Sequence, residues 1–321
     1  LVLMLAVILV TSLFAGCGQG GGTTSDAILY YACGSEPYLT LDPSVENSNG
    51  VCVLQNVYET LTRYNDQTGE VEPCLATSWT HSDDGTVWDF TLREDVTFHD
   101  GTKMNANAVK KSIERTIGLG KGAAYIWANV ETIEVVSDYV VRFTCSASTS
   151  VDLITSAAYA AYIMSESACD QESDWFNNEE GNDGGSGPYT VKSLVTGDQV
   201  ILSAYDGYWQ EWKESSYKTV VIKKHVESST RRQLLETGDA QIAYNFSTTD
   251  ISALKANEKV DVKYVNTYNN ILLFFNTEKE PCNNEEFRKA LAYSFPYQEV
   301  IDGVLENRGQ LSRGLVTPGL W

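Results

Sequence analysis

The sequence predicts an α/β protein, on three observations. Over residues 86–92, Trp88, Phe90 and Leu92 alternate with Asp89 and Thr91, a period of two that gives a strand one buried and one wet face. Farther on, Val109, Ile113, Thr116 and Ile117 fall on one side of a helix that Asn105 can cap. Strand and helix patterns of these two kinds then mix along the whole chain, which is the pattern of an α/β architecture.

The first residues, LVLMLAVILVTSLFAGCGQGGG, are apolar through Phe14, a run shorter than the roughly 20 residues a membrane-spanning helix needs. They match the apolar region of a secretory signal, which assigns residues 1–16 to a signal peptide. The basic stretch that usually precedes such a region and an initiating Met are not in the sequence, which points to a clipped N-terminus. Small residues before Cys17 are similar to a bacterial lipobox, with Phe14 where Leu is usual. Cys17 is then the lipidation site and residues 17–25 a flexible lipid-anchored linker.

Residues 26–33 read as a first strand, and 34–43 as a loop by their Gly and Pro. Val53, Val57, Tyr58 and Leu61 give helical spacing over residues 49–63. A strand over 75–81 turns through Asp83-Asp84-Gly85, where Gly supplies the positive φ of a tight hairpin, into the strand at 86–92. A second turn at His99-Asp100-Gly101 leads to the helix capped by Asn105. Residues 130–145 form a hairpin, with Ile133 and Val135 leading into Ser137-Asp138, and Tyr139, Val141 and Phe143 on the return. Residues 151–167 read as an apolar helix, and 174–187 as an acidic, Gly-rich loop whose spacing does not fit an EF-hand. Another hairpin joins 189–195 to 199–204, and 219–226 is a β-branched strand. Ser229 can cap a helix over 231–236; a short strand at 242–246 and a short helix at 251–256 follow. Residues 260–265 and 271–276 read as strands, 285–294 as a helix, and a further helix after Pro296 carries Val300, Ile301 and Val304.

At 321 residues the chain is long enough for two domains, and 43% hydrophobic content with 7 Trp and 18 Tyr describes packed cores rather than disorder. A net charge of −20 argues against nucleic acid or an acidic membrane face as partner. Seven cysteines contain no C-x-x-C pair, so zinc and thioredoxin-like chemistry are unsupported; setting Cys17 aside leaves six, as disulfides or as buried thiols. The three His fall in no H-E-x-x-H motif, and neither a phosphate-binding loop nor a dinucleotide fingerprint is present. Gly184-Gly185-Ser186-Gly187-Pro188 lacks the final Gly of a nucleophile elbow. His99-Asp100 reads better as a strand-end turn than as catalytic.

Several ordered motifs point to one family. They are Gly34-Ser35-Glu36 followed by Leu41-Asp42-Pro43; Asn56-Val57-Tyr58-Glu59-Thr60-Leu61; Leu75-Ala76 to Trp79 with Asp84-Gly85; and Leu92-Arg93 to Phe98-His99-Asp100-Gly101. Gly187-Pro188-Tyr189, Tyr208-Trp209, and Phe275-Asn276 followed by Phe287-Arg288-Lys289-Ala290-Leu291 complete the series. On these the chain resembles the extracellular solute-binding proteins of ABC transporters, family 5, from residue 32 to 321.

The resemblance implies a two-lobed periplasmic-binding-protein-like class II fold, of the Venus-flytrap kind, with an inserted extra domain and a second lobe that is incomplete in this chain. Residues 26–44 and 186–265 would form lobe I, residues 45–185 the inserted domain II, and 266–321 the start of lobe III. It implies a substrate-binding lipoprotein of an ABC importer that captures short peptides and delivers them to a membrane permease, lipid-anchored outside the cytoplasmic membrane. The partners would be a peptide or other small solute, the permease and ATPase subunits, and the membrane through its anchor. No enzymatic activity, cofactor or metal is expected. Nickel, oligosaccharides and opines are alternative ligands within the family; an exported hydrolase and a sensory receptor are the alternatives outside it. By family pattern the ligand-facing residues are Ser35, Glu36, Pro37 and Tyr38 after the first strand, Asn245 and Phe246 farther on, and Tyr268, Asn269 and Asn270 at the lobe crossing. Asn and backbone groups suit peptide amides, and Tyr and Phe give tolerant apolar walls.

Overall fold

The computed structural model describes residues 27–178, 181–265, 270–312 and 314–315. Two compact units divide the chain, Leu1–Asp261 and Val262–Trp321.

In the first unit, β1 (Ile28–Cys33) is followed by a long loop and α1 (Val51–Val57). The helix stops well short of residue 63, because Tyr58 turns extended at φ −117° and ψ 157°. Strands β2 (Thr62–Asn65) and β3 (Glu70–Pro73) then form a small hairpin that was not expected, closed by Gly69 at φ 74°. Next come β4 (Ala76–His81), β5 (Val87–Leu92) and α2 (Ala106–Leu119). Asn105 caps α2 as expected, its side chain accepting from the Ala108 N–H. Val109, Ile113 and Thr116 are buried, but Ile117 lies at the edge of the stripe and is exposed. Strands β6 (Val130–Ser137) and β7 (Val140–Cys145) make the expected hairpin, and the four strands order as β4-β5-β7-β6. Val141 and Phe143 are buried as the alternation requires, whereas Val135 is exposed.

The stretch 151–167 is not one helix. Only α3 (Val151–Ile154) and α4 (Glu166–Cys169) are helical, and Ala160 between them has φ 62°. Turns fill most of 155–160, and beyond them Ala161 and Ile163 enter one hydrophobic core while Tyr162 and Met164 enter the other. Burial on both faces explains why 161–164 is apolar without a gap. The hairpin β8 (Tyr189–Val195) and β9 (Gln199–Ala204) matches its expected limits, and β10 (Thr219–Lys224) follows. Helix α5 (Ser228–Thr237) starts before Ser229, with Glu227 at its N-cap and no side-chain cap. Then come β11 (Ile242–Ala243), shorter than expected, and α6 (Thr248–Lys255), capped by Ser247. Strands β11-β1-β10-β9-β8 form one five-stranded sheet.

The first core fills the space between the β4-β5-β7-β6 sheet and α2, with Phe90, Phe98, Trp127 and Phe143 at its centre. The second lies between α1 and the β1-β10-β9-β8 strands, around Leu54, Tyr58, Phe176 and Leu202. The six cysteines among the described residues are free thiols.

In the second unit, α7 (Glu285–Ser294) has its expected limits, with the Asn284 side chain accepting from the Glu286 and Phe287 N–H groups. Helix α8 (Tyr297–Glu299) and a π-turn over Val300–Val304 follow Pro296. Neither 260–265 nor 271–276 is a strand among the described residues. Among the described residues 271–276 takes part in no strand ladder or bridge, so its Ile, Leu and Phe have no sheet to join.

Candidate functional site

Strand direction decides where a site can form in the five-stranded sheet. Strand β1 pairs parallel with both β10 and β11. The carboxyl ends of three neighbouring strands therefore share one edge, which is where open α/β sheets bind ligands. Three loops leave that edge: 34–38 after β1, 225–227 after β10 and 244–246 after β11. Strand β9 runs antiparallel to β10, with Lys223 opposite Gln199, so the β8–β9 turn at 196–198 joins them.

Four of the predicted residues lie on the first loop. Ser35 is half-buried, and its carbonyl accepts from the Cys33 thiol at 3.2 Å. Glu36 is exposed and pairs with Lys224 Nζ at 3.5 Å. Pro37 and Tyr38 are buried; Tyr38, 4% exposed, belongs to the second core. Asn245 and Phe246 lie on the third loop, Asn245 exposed at φ 61° and Phe246 half-buried. Asn270 belongs to the second unit, where its side-chain amide donates to the Leu315 carbonyl at 3.0 Å. Tyr268, Asn269 and Cys17 lie outside the described residues.

Arg231, in the first turns of α5, joins the second and third loops and lies close to Gly34 at the start of the first. Arg231 is 3% exposed. It donates to the carbonyls of His225, Val226 (2.7 Å) and Asn245 (2.6 Å), and Phe246 lies against it with its ring centre 5.6 Å from Cζ. A Cβ on Gly34 would sit 3.1 Å from the guanidinium carbon, which gives the glycine of Gly34-Ser35-Glu36 a physical reason. Sequence reasoning read Arg231 only as a helix member. The doublet Arg231-Arg232 at a helix start, where cations oppose the dipole, was the signal available.

Charges of both signs edge the loops. Lys223 lies 3.9 Å from Asp198, and Tyr30 Oη lies 3.1 Å from His225 Nε2. Burial, with Lys223 nearby, holds the His225 imidazole below its ordinary pKa. Burial, helped by Asp198, raises the Tyr30 phenol.

The remaining motifs are buried clamps. Asp42 receives two hydrogen bonds from Arg115, at 2.7 and 2.9 Å, joining the segment that leads to α1 to helix α2. His99 contacts the carboxylate of Asp183, and its Nε2 lies 2.9 Å from the Gly187 carbonyl, as a structural turn residue. Glu59 accepts from Arg63 (2.9 Å), Trp209 (2.9 Å), Tyr208 (3.1 Å) and Ser186 (3.1 Å).

The family model for bacterial extracellular solute-binding proteins, family 5 Middle, matches residues 70–321. The chain belongs to this family. A probable D,D-dipeptide-binding periplasmic protein of Escherichia coli (strain K12) is 33% identical over 292 residues, covering 88% of this chain and 56% of the relative. The nickel-binding periplasmic protein of the same strain is 25% identical over 294 residues, covering 87% of this chain and 54% of the relative. Among solved structures, a dipeptide-binding protein of Pseudoalteromonas sp. SM9913 in complex with Met-Leu matches with a TM-score of 0.77 at 23% identity, covering 91% of this chain and 62% of that one. The fold is thus that of the two-lobed periplasmic binding proteins. The chain spans little more than half the length of these family members.

Proposed function

We propose that this family 5 protein is the substrate-binding subunit of an ABC importer, that it captures short peptides between two lobes, and that it hands them to a membrane permease. The observation that carries the reading is the edge where three parallel strands end together, in a chain of this family. Ser35, Glu36, Asn245 and Phe246 are the contacts offered by the loops on that edge. Pro37 and Tyr38 support them from below, and Tyr268, Asn269 and Asn270 contribute from the lobe crossing. Residues 26–44 and 186–265 form lobe I, 45–185 the inserted domain and 266–321 the start of the next lobe. Cys17 carries the lipid that keeps the protein on the outer side of the cytoplasmic membrane.

Peptide is favoured as ligand by the 33%-identical relative named for D,D-dipeptides. Nickel is the second reading, favoured by the relative at 25% identity. A thermal-shift screen of the complete protein against di- to pentapeptides, Ni²⁺ and oligosaccharides separates them. A true ligand raises the melting temperature with concentration, by stabilising the fold about 2.7 kcal/mol at a hundred times its Kd. Peptides are expected to do so without being consumed. A shift with Ni²⁺ alone transfers the assignment to metal, and hydrolysis of any hit overturns the binding-protein reading.

A further inference from the structure

We infer that Arg231 is the positioning residue of the ligand-facing loops: its buried guanidinium fixes the backbone of Asn245, seats the ring of Phe246 and packs against the backbone at Gly34. The inference rests on the solute-binding reading of those loops and goes beyond it by naming the group that shapes them.

No carboxylate among the described residues forms an ion pair with Arg231; its neighbour Arg232 takes Asp250 instead, at 2.9 Å. The Arg231 charge is met by carbonyl dipoles, two from the segment after β10 and one from the loop after β11. Its Nε is buried with no hydrogen-bond partner. The guanidinium is therefore placed to serve the carbonyls of two loops at the expense of its Nε donor. Asn245 occupies the left-handed region at φ 61°, which Asn tolerates better than most residues but which still favours a tether. The bond from Arg231 Nη2 to the Asn245 carbonyl is that tether, at 2.6 Å. The next side chain, Phe246, is held by the cation at 5.6 Å. On the side of the first loop, a Cβ at Gly34 would approach Cζ and Nη1 at 3.1 Å and Nη2 at 3.2 Å, so the guanidinium would have to give by a few tenths of an ångström. One planar fork thus sets the conformation of two residues that face ligand, and preorganisation of this kind raises affinity without touching the ligand.

Two variants reach the cradle from opposite sides. Arg231→Lys keeps the charge and loses the fork; Gly34→Ala pushes on the native fork. Backbone NMR shifts of Asn245 report its left-handed conformation, and ring shifts of Phe246 report its seating, both without any ligand. Both variants are expected to move these signals while the amides of β8, β9 and β10 stay in place. Calorimetric titration with the L,L and D,D forms of Ala-Ala and Ala-Phe supplies the second readout. Affinity for the dipeptides that bind is expected to fall about tenfold or more, with a changed preference between Ala and Phe side chains. If the unaltered protein binds none of the four probes but Asn245 and Phe246 move in both variants, the positioning role stands and the dipeptide reading fails. Unchanged Asn245 and Phe246 signals in folded Gly34→Ala and Arg231→Lys proteins overturn the positioning role, whatever happens to binding. Should Arg231→Lys fail to fold, the Gly34→Ala result decides alone.

Discussion

Buried charge at single residues tells most about which motifs are scaffold. Glu59 has a fully buried side chain and five hydrogen-bond donors, the Cys74 thiol being the longest at 3.8 Å, and burial raises its carboxyl above the usual range against the pull of Trp209 and Arg63. Replacing it by Ala orphans Arg63, Tyr208, Trp209 and Ser186 together. Glu59→Ala is expected to cost roughly 3–5 kcal/mol, read as a lower urea midpoint at unchanged slope. A cost below about 1 kcal/mol would show that water replaces the carboxylate. His225 gives a pH signature. Its pKa is depressed in the fold by burial, then by Lys223, with Asp198 acting in the opposite sense and Arg231 adding to the depression. Stability from its neutral form is present above the unfolded value of about 6.5 and is lost as pH falls through the folded value. His225→Asn should flatten the stability profile across that window, measured as melting temperature from pH 8 to 5.

At the scale of elements, local pattern was legible wherever one face was wet. The β8–β9 hairpin, the β4–β5 hairpin and α2 show a period of 2 or 3.6 because their two faces meet different surroundings. The apolar run before Met164 offered no such contrast. It threads between two cores, so neither face is polar, and periodicity cannot tell strand from helix there. Glycine positions were legible only in part. Gly85 and Gly101 announce turns, with φ 67° and 85°. Gly187 instead serves close packing: a Cβ there would meet the carbonyl oxygen of Asn56 and the carbonyl carbon of Val57, both at 2.7 Å. Gly187→Ala is expected to destabilise by roughly 1–3 kcal/mol, because backbone cannot give way as a side chain would. Chemical denaturation measures it, and a neutral result would mean that the junction between α1 and β8 is slack.

For the whole molecule, the two units differ in burial. The first unit holds both hydrophobic cores. In the second, no described residue is buried, and Ile271 and Phe274 are 91% and 79% exposed. Short helices without packing are marginal in water. Hydrogen exchange on the 321-residue chain is accordingly expected to show fast exchange over α7 and strong protection over α2 and β9. Equal protection of α7 and α2 would mean that the second unit packs against an apolar surface.

The sequence by itself determined the class, most element limits in the first unit, the family, and the loop after β1, because amphipathic period, turn chemistry and ordered motifs are local properties. Only the tertiary structure decided that β1, β10 and β11 end side by side, that the acidic motif residues Asp42 and Glu59 are internal clamps, and that Arg231 bridges two loops. These depend on strand pairing and on contacts between segments apart in the chain, from the 14 residues between Arg231 and Asn245 to the 150 between Glu59 and Trp209, and no local pattern encodes them.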